Sequence, residues 1–109
     1  ILSGGQKQRI TLARSLLSGS PILILDDPVS QVDAETGSAI IKNIKSMTEE
    51  KTIIIASHRL SALSFADKII VIDRGRITES GNHAFLMELG KYYAKTFRMQ
   101  AIEEEMNAI

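Results

Sequence analysis

The stretch Ile22-Leu23-Ile24-Leu25-Asp26-Asp27-Pro28 decides how the rest of the chain is read. Four apolar residues run straight into two carboxylates and a proline. A short, Ile-rich run bounded by turn residues reads as a strand buried on both faces, the kind found in parallel sheets. Burying charge is costly unless it is paired or holds a metal, so the two Asp belong at the strand's end. In open α/β sheets that carboxyl end is where ligands bind. An Asp placed there either holds a metal beside a ligand or closes a plain Asp-Asp-Pro turn.

Two more runs resemble it, Thr52 to Ser57 and Lys68 to Asp73. Helical periods lie between them. In Gln6 to Leu17, the residues Ile10, Ala13, Leu16 and Leu17 recur at three- and four-residue spacing, and Ile40, Ile41, Ile44 and Met47 do the same in Ala34 to Met47. Strands alternating with helices predict an α/β fold built from βαβ units. Asp73-Arg74-Gly75-Arg76 reads as a tight turn, with Arg76 to Glu79 pairing back as an antiparallel edge. From Asn82 onward the pattern is helical, interrupted at Gly90, and Glu103-Glu104-Glu105 reads as a solvated face.

Thirteen Lys and Arg balance thirteen Asp and Glu, so the net charge is zero and offers no footprint for nucleic acid. At 44% hydrophobic residues the composition is globular. The absence of cysteine excludes disulfides, Cys-ligated zinc and thiol catalysis. No apolar run approaches the roughly 18 residues of a membrane span. The 109-residue chain opens at Ile1-Leu2-Ser3 with neither a start Met nor a signal segment, and reads as a piece of a longer protein.

Four short motifs carry chemistry. In Leu2-Ser3-Gly4-Gly5-Gln6, a Ser followed three residues later by Gln is a capping box. Two glycines in the same turn leave backbone N–H groups uncovered, which suits an anion such as phosphate. The plainer reading is a helix start. Asp26 and Asp27 are the second motif. In Ser30-Gln31-Val32-Asp33, the plainer reading is an N-cap for the next helix. His58 follows Ile53-Ile54-Ile55-Ala56-Ser57 and is either a hydrogen-bonded structural residue or a contact for phosphate or water. His83 reads as structural, and neither His has metal-ligand spacing with a second His or Cys.

In this order and spacing the motifs resemble the nucleotide-binding domain of ATP-binding cassette (ABC) transporters. Leu2 to Gln6, continued by Gln8-Arg9 and Ala13-Arg14, resembles the signature motif. Ile22 to Asp26 resembles the Walker B strand, Ser30 to Asp33 the D-loop, and His58 the switch histidine. Ala66 to Gly81 resembles the strand pair that closes the core, and Asn82 to Phe97 the tail of exporter-type members. No Gly-x-x-x-x-Gly-Lys-[Ser/Thr] occurs, so the phosphate-cradling loop is absent from this chain. The resemblance is therefore to the second half of a cassette: a truncated P-loop NTPase (RecA-like) core over 1–81 and a helical tail over 82–109.

The resemblance implies ATP and Mg²⁺ as cofactors. It implies that Asp26 holds Mg²⁺, that Asp27 and His58 are catalytic, and that Ser3, Gly4, Gly5, Gln6 and Asp33 meet ATP across a dimer of cassettes. It also implies transmembrane domains as partners, no nucleic acid, and a place at the cytoplasmic face of a membrane. One position departs from the common pattern: Asp27 stands where Glu is usual, as in the impaired subunit of asymmetric exporter pairs. A soluble cassette ATPase of DNA repair, chromosome maintenance or translation shares the motifs, but the exporter-like tail and zero net charge argue against it. A non-catalytic remnant or interaction module is the third reading. Strands that lack their neighbours are expected to leave apolar surface bare, so that the chain self-associates.

Overall fold

The computed structural model describes residues 2–47 and 49–107; residues 108 and 109 of the expected tail lie outside them. The element order is α1 (Gly4–Leu17), β1 (Ile22–Asp26), α2 (Ala34–Met47), β2 (Thr52–Ala56), α3 (Leu60–Leu63), β3 (Ile69–Asp73), β4 (Arg76–Gly81), α4 (His83–Leu89) and α5 (Tyr92–Asn107). Every strand and helix expected from the sequence is present. The short helix α3 is an addition, too brief to leave a period.

β1 and β2 pair in parallel, from Ile22 opposite Thr52 to Asp26 opposite Ala56. The crossover between them is α2. Its Ile41 and Ile44 join Leu12 of α1, Leu25, Val29 and Ala62 in the main core. Each Ile, Leu or Val among them, once fully buried, contributes about 1.5–3 kcal/mol.

Two expectations are corrected here. The strands are not buried on both faces: β1 alternates, with Leu23 and Leu25 inside and Ile22 and Ile24 exposed by 57% and 74%. The helices cover one face of the sheet and nothing among the described residues covers the other. The third apolar run also stands apart from the parallel pair. β3 joins only β4, antiparallel, from Ile69 opposite Gly81 to Asp73 opposite Arg76. Between the two sheets lies a cleft of about 770 Å³ lined by Ile53, Ile55, Ile69 and Ile77.

The β3–β4 hairpin turns through Arg74 and Gly75, both at positive φ (50° and 75°), the type I′ geometry that matches strand twist. Asn82 caps α4, its side chain accepting from the Phe85 N–H at 2.8 Å. Gly90 ends that helix in the left-handed conformation, φ 70°. The tail then packs through Tyr93, which is buried with Leu86 and Ile69, while Phe97 and Leu60 lie against them. The Tyr93 hydroxyl meets His83 Nδ1 at 2.8 Å, so His83 is structural as read, and burial pushes the phenol up to about 12.

Candidate functional site

The carboxyl end of the β1–β2 pair leads into a loop, residues 27–33, that gathers most of the singled-out residues. Asp27 continues the ladder: its N–H donates to Ala56 O at 2.7 Å. Its φ is +46°, a left-handed conformation that Asp tolerates better than most residues. Pro28 and Val29 turn inward and are buried, pinning the loop to the core. Gly37 of α2 lies against Val29, where an added Cβ would come within 3.2 Å. At the far end, Asp33 Oδ2 accepts from the Thr36 N–H at 3.1 Å, which is N-cap geometry. Hydrogen bonds from Thr36 hold the Asp33 carboxyl below its ordinary value, so it is ionised at neutral pH.

Two side chains from elsewhere in the chain fasten this loop. Gln8 on α1 donates to Asp27 O at 2.9 Å and to Ser30 Oγ at 3.1 Å, and accepts from Gln31 N–H at 2.8 Å. Arg59, beyond β2, donates to the carbonyls of Val29, Ser30 and Val32. A planar fork of N–H donors is suited to several carbonyls at once in a way that an ammonium is not. Sequence reasoning gave neither residue this role. Gln8 and Gln31 are 23 positions apart and Arg59 and Val32 are 27 apart, so no local pattern joins them.

The start of α1 sits on the same loop. The capping box is complete: Ser3 Oγ accepts from Gln6 N–H at 3.1 Å and Gln6 Oε1 from Ser3 N–H at 2.9 Å. The two glycines have different neighbours. A Cβ at Gly4 would meet the end of the Gln31 side chain at 2.8 Å, and a flexible amide can swing away. A Cβ at Gly5 would meet Gln31 backbone O at 3.0 Å and Val32 Cγ1 at 3.1 Å, and Gly5 is buried. Gly5 is thus required by packing against the loop, and exposed Gly4 is the one at which a ligand has room. In the full-length protein Gly5→Ala is expected to cost about 1–2 kcal/mol, overpacking outweighing the gain in helix propensity. Gly4→Ala is expected to be close to neutral. Thermal melts of both variants check this, and equal melting points would overturn the distinction.

Among the described residues neither the Asp26 nor the Asp27 carboxylate has a hydrogen-bond or ion-pair partner, and Asp26 is exposed at the strand end. No group of three or more His, Cys, Asp or Glu is poised for a metal among them. One free carboxylate without a protein cage fits Mg²⁺, which is commonly held by one or two carboxylates together with phosphate oxygens and water. The His58 side chain is exposed, two residues past Ala56 and so at the same sheet end as Asp27. The loop therefore gathers α1's glycines, the two carboxylates and Asp33, with His58 beside it.

Known proteins resemble the chain in sequence and in fold. Residues 1–30 match the model of the ABC transporter family. The chain is 46% identical over 100 residues to an ATP-dependent lipid A-core flippase of Shewanella sp. (strain MR-4), covering 92% of this chain and 17% of that protein. It is 45% identical over 107 residues to the multidrug resistance-like ATP-binding protein MdlA of Escherichia coli (strain K12), covering 98% of this chain and 18% of that one. The chain thus spans less than a fifth of the length of the curated relatives it matches. A solved bacterial Atm1-family ABC exporter with ATP bound superposes with a TM-score of 0.82 at 38% identity, over 92% of this chain and 18% of that one. No helix among the described residues is long and apolar enough to cross a membrane. The chain belongs to the ABC transporter family, in which it corresponds to the C-terminal part of an exporter-type nucleotide-binding domain.

Proposed function

We propose that the full-length protein couples ATP hydrolysis to export across a membrane, and that this segment works at the cytoplasmic face. What carries the reading is the loop 27–33, on which two unpartnered carboxylates, a capped glycine helix start and the switch-histidine strand converge. Residues 1–81 serve as the ATPase half-core and 82–109 as its tail. ATP lies between two cassettes, one of them this subunit's, each attached to transmembrane domains.

The residues divide the work. When bound, Mg²⁺ would neutralise charge on the transferring phosphoryl group, and Asp26 is the residue that would hold it. Asp27 orients the attacking water and accepts its proton. Its oxygens stop about 1.5 Å, one C–C bond, short of a Glu's reach, which makes it a slow base. His58 contacts the γ-phosphate. Ser3, Gly4 and Gln6 meet the γ-phosphate of ATP bound to the opposite cassette, buried Gly5 seats that turn on the loop, and Asp33 lies at the interface between the two sites. The shortened base makes this the weaker member of an asymmetric pair, whose signature motif completes the partner's site.

The test compares the full-length protein with the 109-residue chain. The former, with the partner's site disabled, is expected to show a slow magnesium-dependent ATPase that Asp26→Asn abolishes. The latter is expected to show none, because it carries no phosphate-cradling loop, and to sediment as a self-associated species through Ile22, Ile24, Ile54 and Ile72, all exposed. ATPase in the 109-residue chain that depends on Asp26, or a monomer at all concentrations, would contradict this.

A further inference from the structure

The tail helix reaches the switch histidine. On α5, Tyr93, Phe97 and Gln100 follow at spacings of four and three, so they share one face. The first two pack into the second core, against which Leu60 also lies. They deliver Gln100 to the segment around His58. There its side-chain amide makes two hydrogen bonds: Nε2 donates to His58 O at 2.7 Å, and Oε1 accepts from Leu60 N–H at 3.0 Å. The helix is itself anchored at its first turn. Buried Glu79 of β4 accepts from the Tyr93 N–H at 3.3 Å, and Tyr93 is held by His83.

The rest of the segment is tied as well. Ser57 Oγ accepts from Arg59 N–H at 3.0 Å, and the Arg59 guanidinium grips the loop carbonyls. No bond among the described residues holds the exposed His58 ring itself. The backbone therefore sets where the ring's Cα–Cβ bond starts and points, and the clasp on the two peptides that follow the histidine is Gln100. We propose that Gln100 is a positioning residue for His58: carried on the tail helix, its amide fixes the peptide after the histidine and so aims the imidazole at the γ-phosphate. The proposal rests on the ATPase reading above.

The competing role is a simple cap. α3 begins at Leu60 and its N-cap residue, Arg59, makes no side-chain capping bond, so Gln100 also satisfies the first amide of α3. Two substitutions separate the roles. Gln100→Glu keeps an acceptor for Leu60 N–H but loses the donor to His58 O and sets a carboxylate against that carbonyl. Gln100→Leu removes both bonds.

The experiment measures ATP turnover and ATP affinity at this subunit's own site in the full-length protein, with the partner's site disabled. Both variants are expected to lower kcat about tenfold, the equivalent of one well-made hydrogen bond, with KM for ATP within about twofold. In a His58→Ala background, Gln100→Leu is expected to add less than about a twofold further loss, because a residue that acts only through the histidine has nothing left to position. Normal turnover in Gln100→Glu would reduce Gln100 to a cap. Multiplying losses in the double variant, or loss of ATP binding by Gln100→Glu, would make its role general packing. Both results overturn the proposal while leaving the ATPase reading intact. If His58→Ala alone leaves turnover unchanged, the assigned role of His58 fails, and the positioning role with it.

Discussion

In the full-length protein, Asp27→Glu is expected to raise ATP turnover at this subunit's own site by about 10- to 100-fold. The argument is geometric. Asp27 leaves the strand at φ +46° with its N–H bonded to Ala56 and its carbonyl held by Gln8, so the backbone cannot advance to make up for a short side chain. A misplacement of about 1 Å at a reacting centre costs on the order of 10² in rate. The extra methylene restores that reach for a general base. Glu is less at ease than Asp in the left-handed region, which trims the gain without cancelling it. Single-site turnover with the partner's site disabled is the measurement. No increase would place the defect outside Asp27.

The second large effect is expected at Arg59. Arg59→Leu removes the donors that satisfy the carbonyls of Val29, Ser30 and Val32. Two of the three contacts are partly buried, so water replaces them poorly. Bonds to a charged donor are worth about 1.5–3 kcal/mol each, and those in one network do not add fully. A loss near 3 kcal/mol is the expectation. Turnover should fall about 100-fold with it, since a released loop moves Asp27 and Asp33 together. Arg59→Lys should restore only part, because an ammonium cannot span several carbonyls as the planar fork does. Denaturant melts followed by ATPase assays check both numbers. A change below about 1 kcal/mol would mean that the loop stands without this guanidinium.

Much of the molecule is written locally. Ser3 and Gln6 close their capping box within a single turn. Ala34 to Met47 is a helix because its apolar residues share a face, and Arg74-Gly75 turns because both residues adopt positive φ. The chain order of the motifs also named the family, since Leu2 to Gln6, Asp26-Asp27, Ser30 to Asp33 and His58 keep their spacing whatever covers them. These features rest on interactions over a few residues, which a sequence states directly.

What surrounds the motifs was decided by tertiary structure. Whether β1 is covered on one face or two depends on which elements pack there, and the Ile-rich run reads the same in both cases. β3 pairs with β4 because the hairpin turn places them edge to edge, whereas pairing with β2 needs a neighbour across the cleft. Gly5, read as an open site for phosphate, is fixed by the backbone of Gln31 packed on it. Gln8, Arg59 and Gln100 fasten the site from 19 to 42 positions away. A polar side chain carries no mark of a partner at that separation. Only the packing of α1 and the segment after β2 on the loop, and of α5 on that segment, brings donor to acceptor.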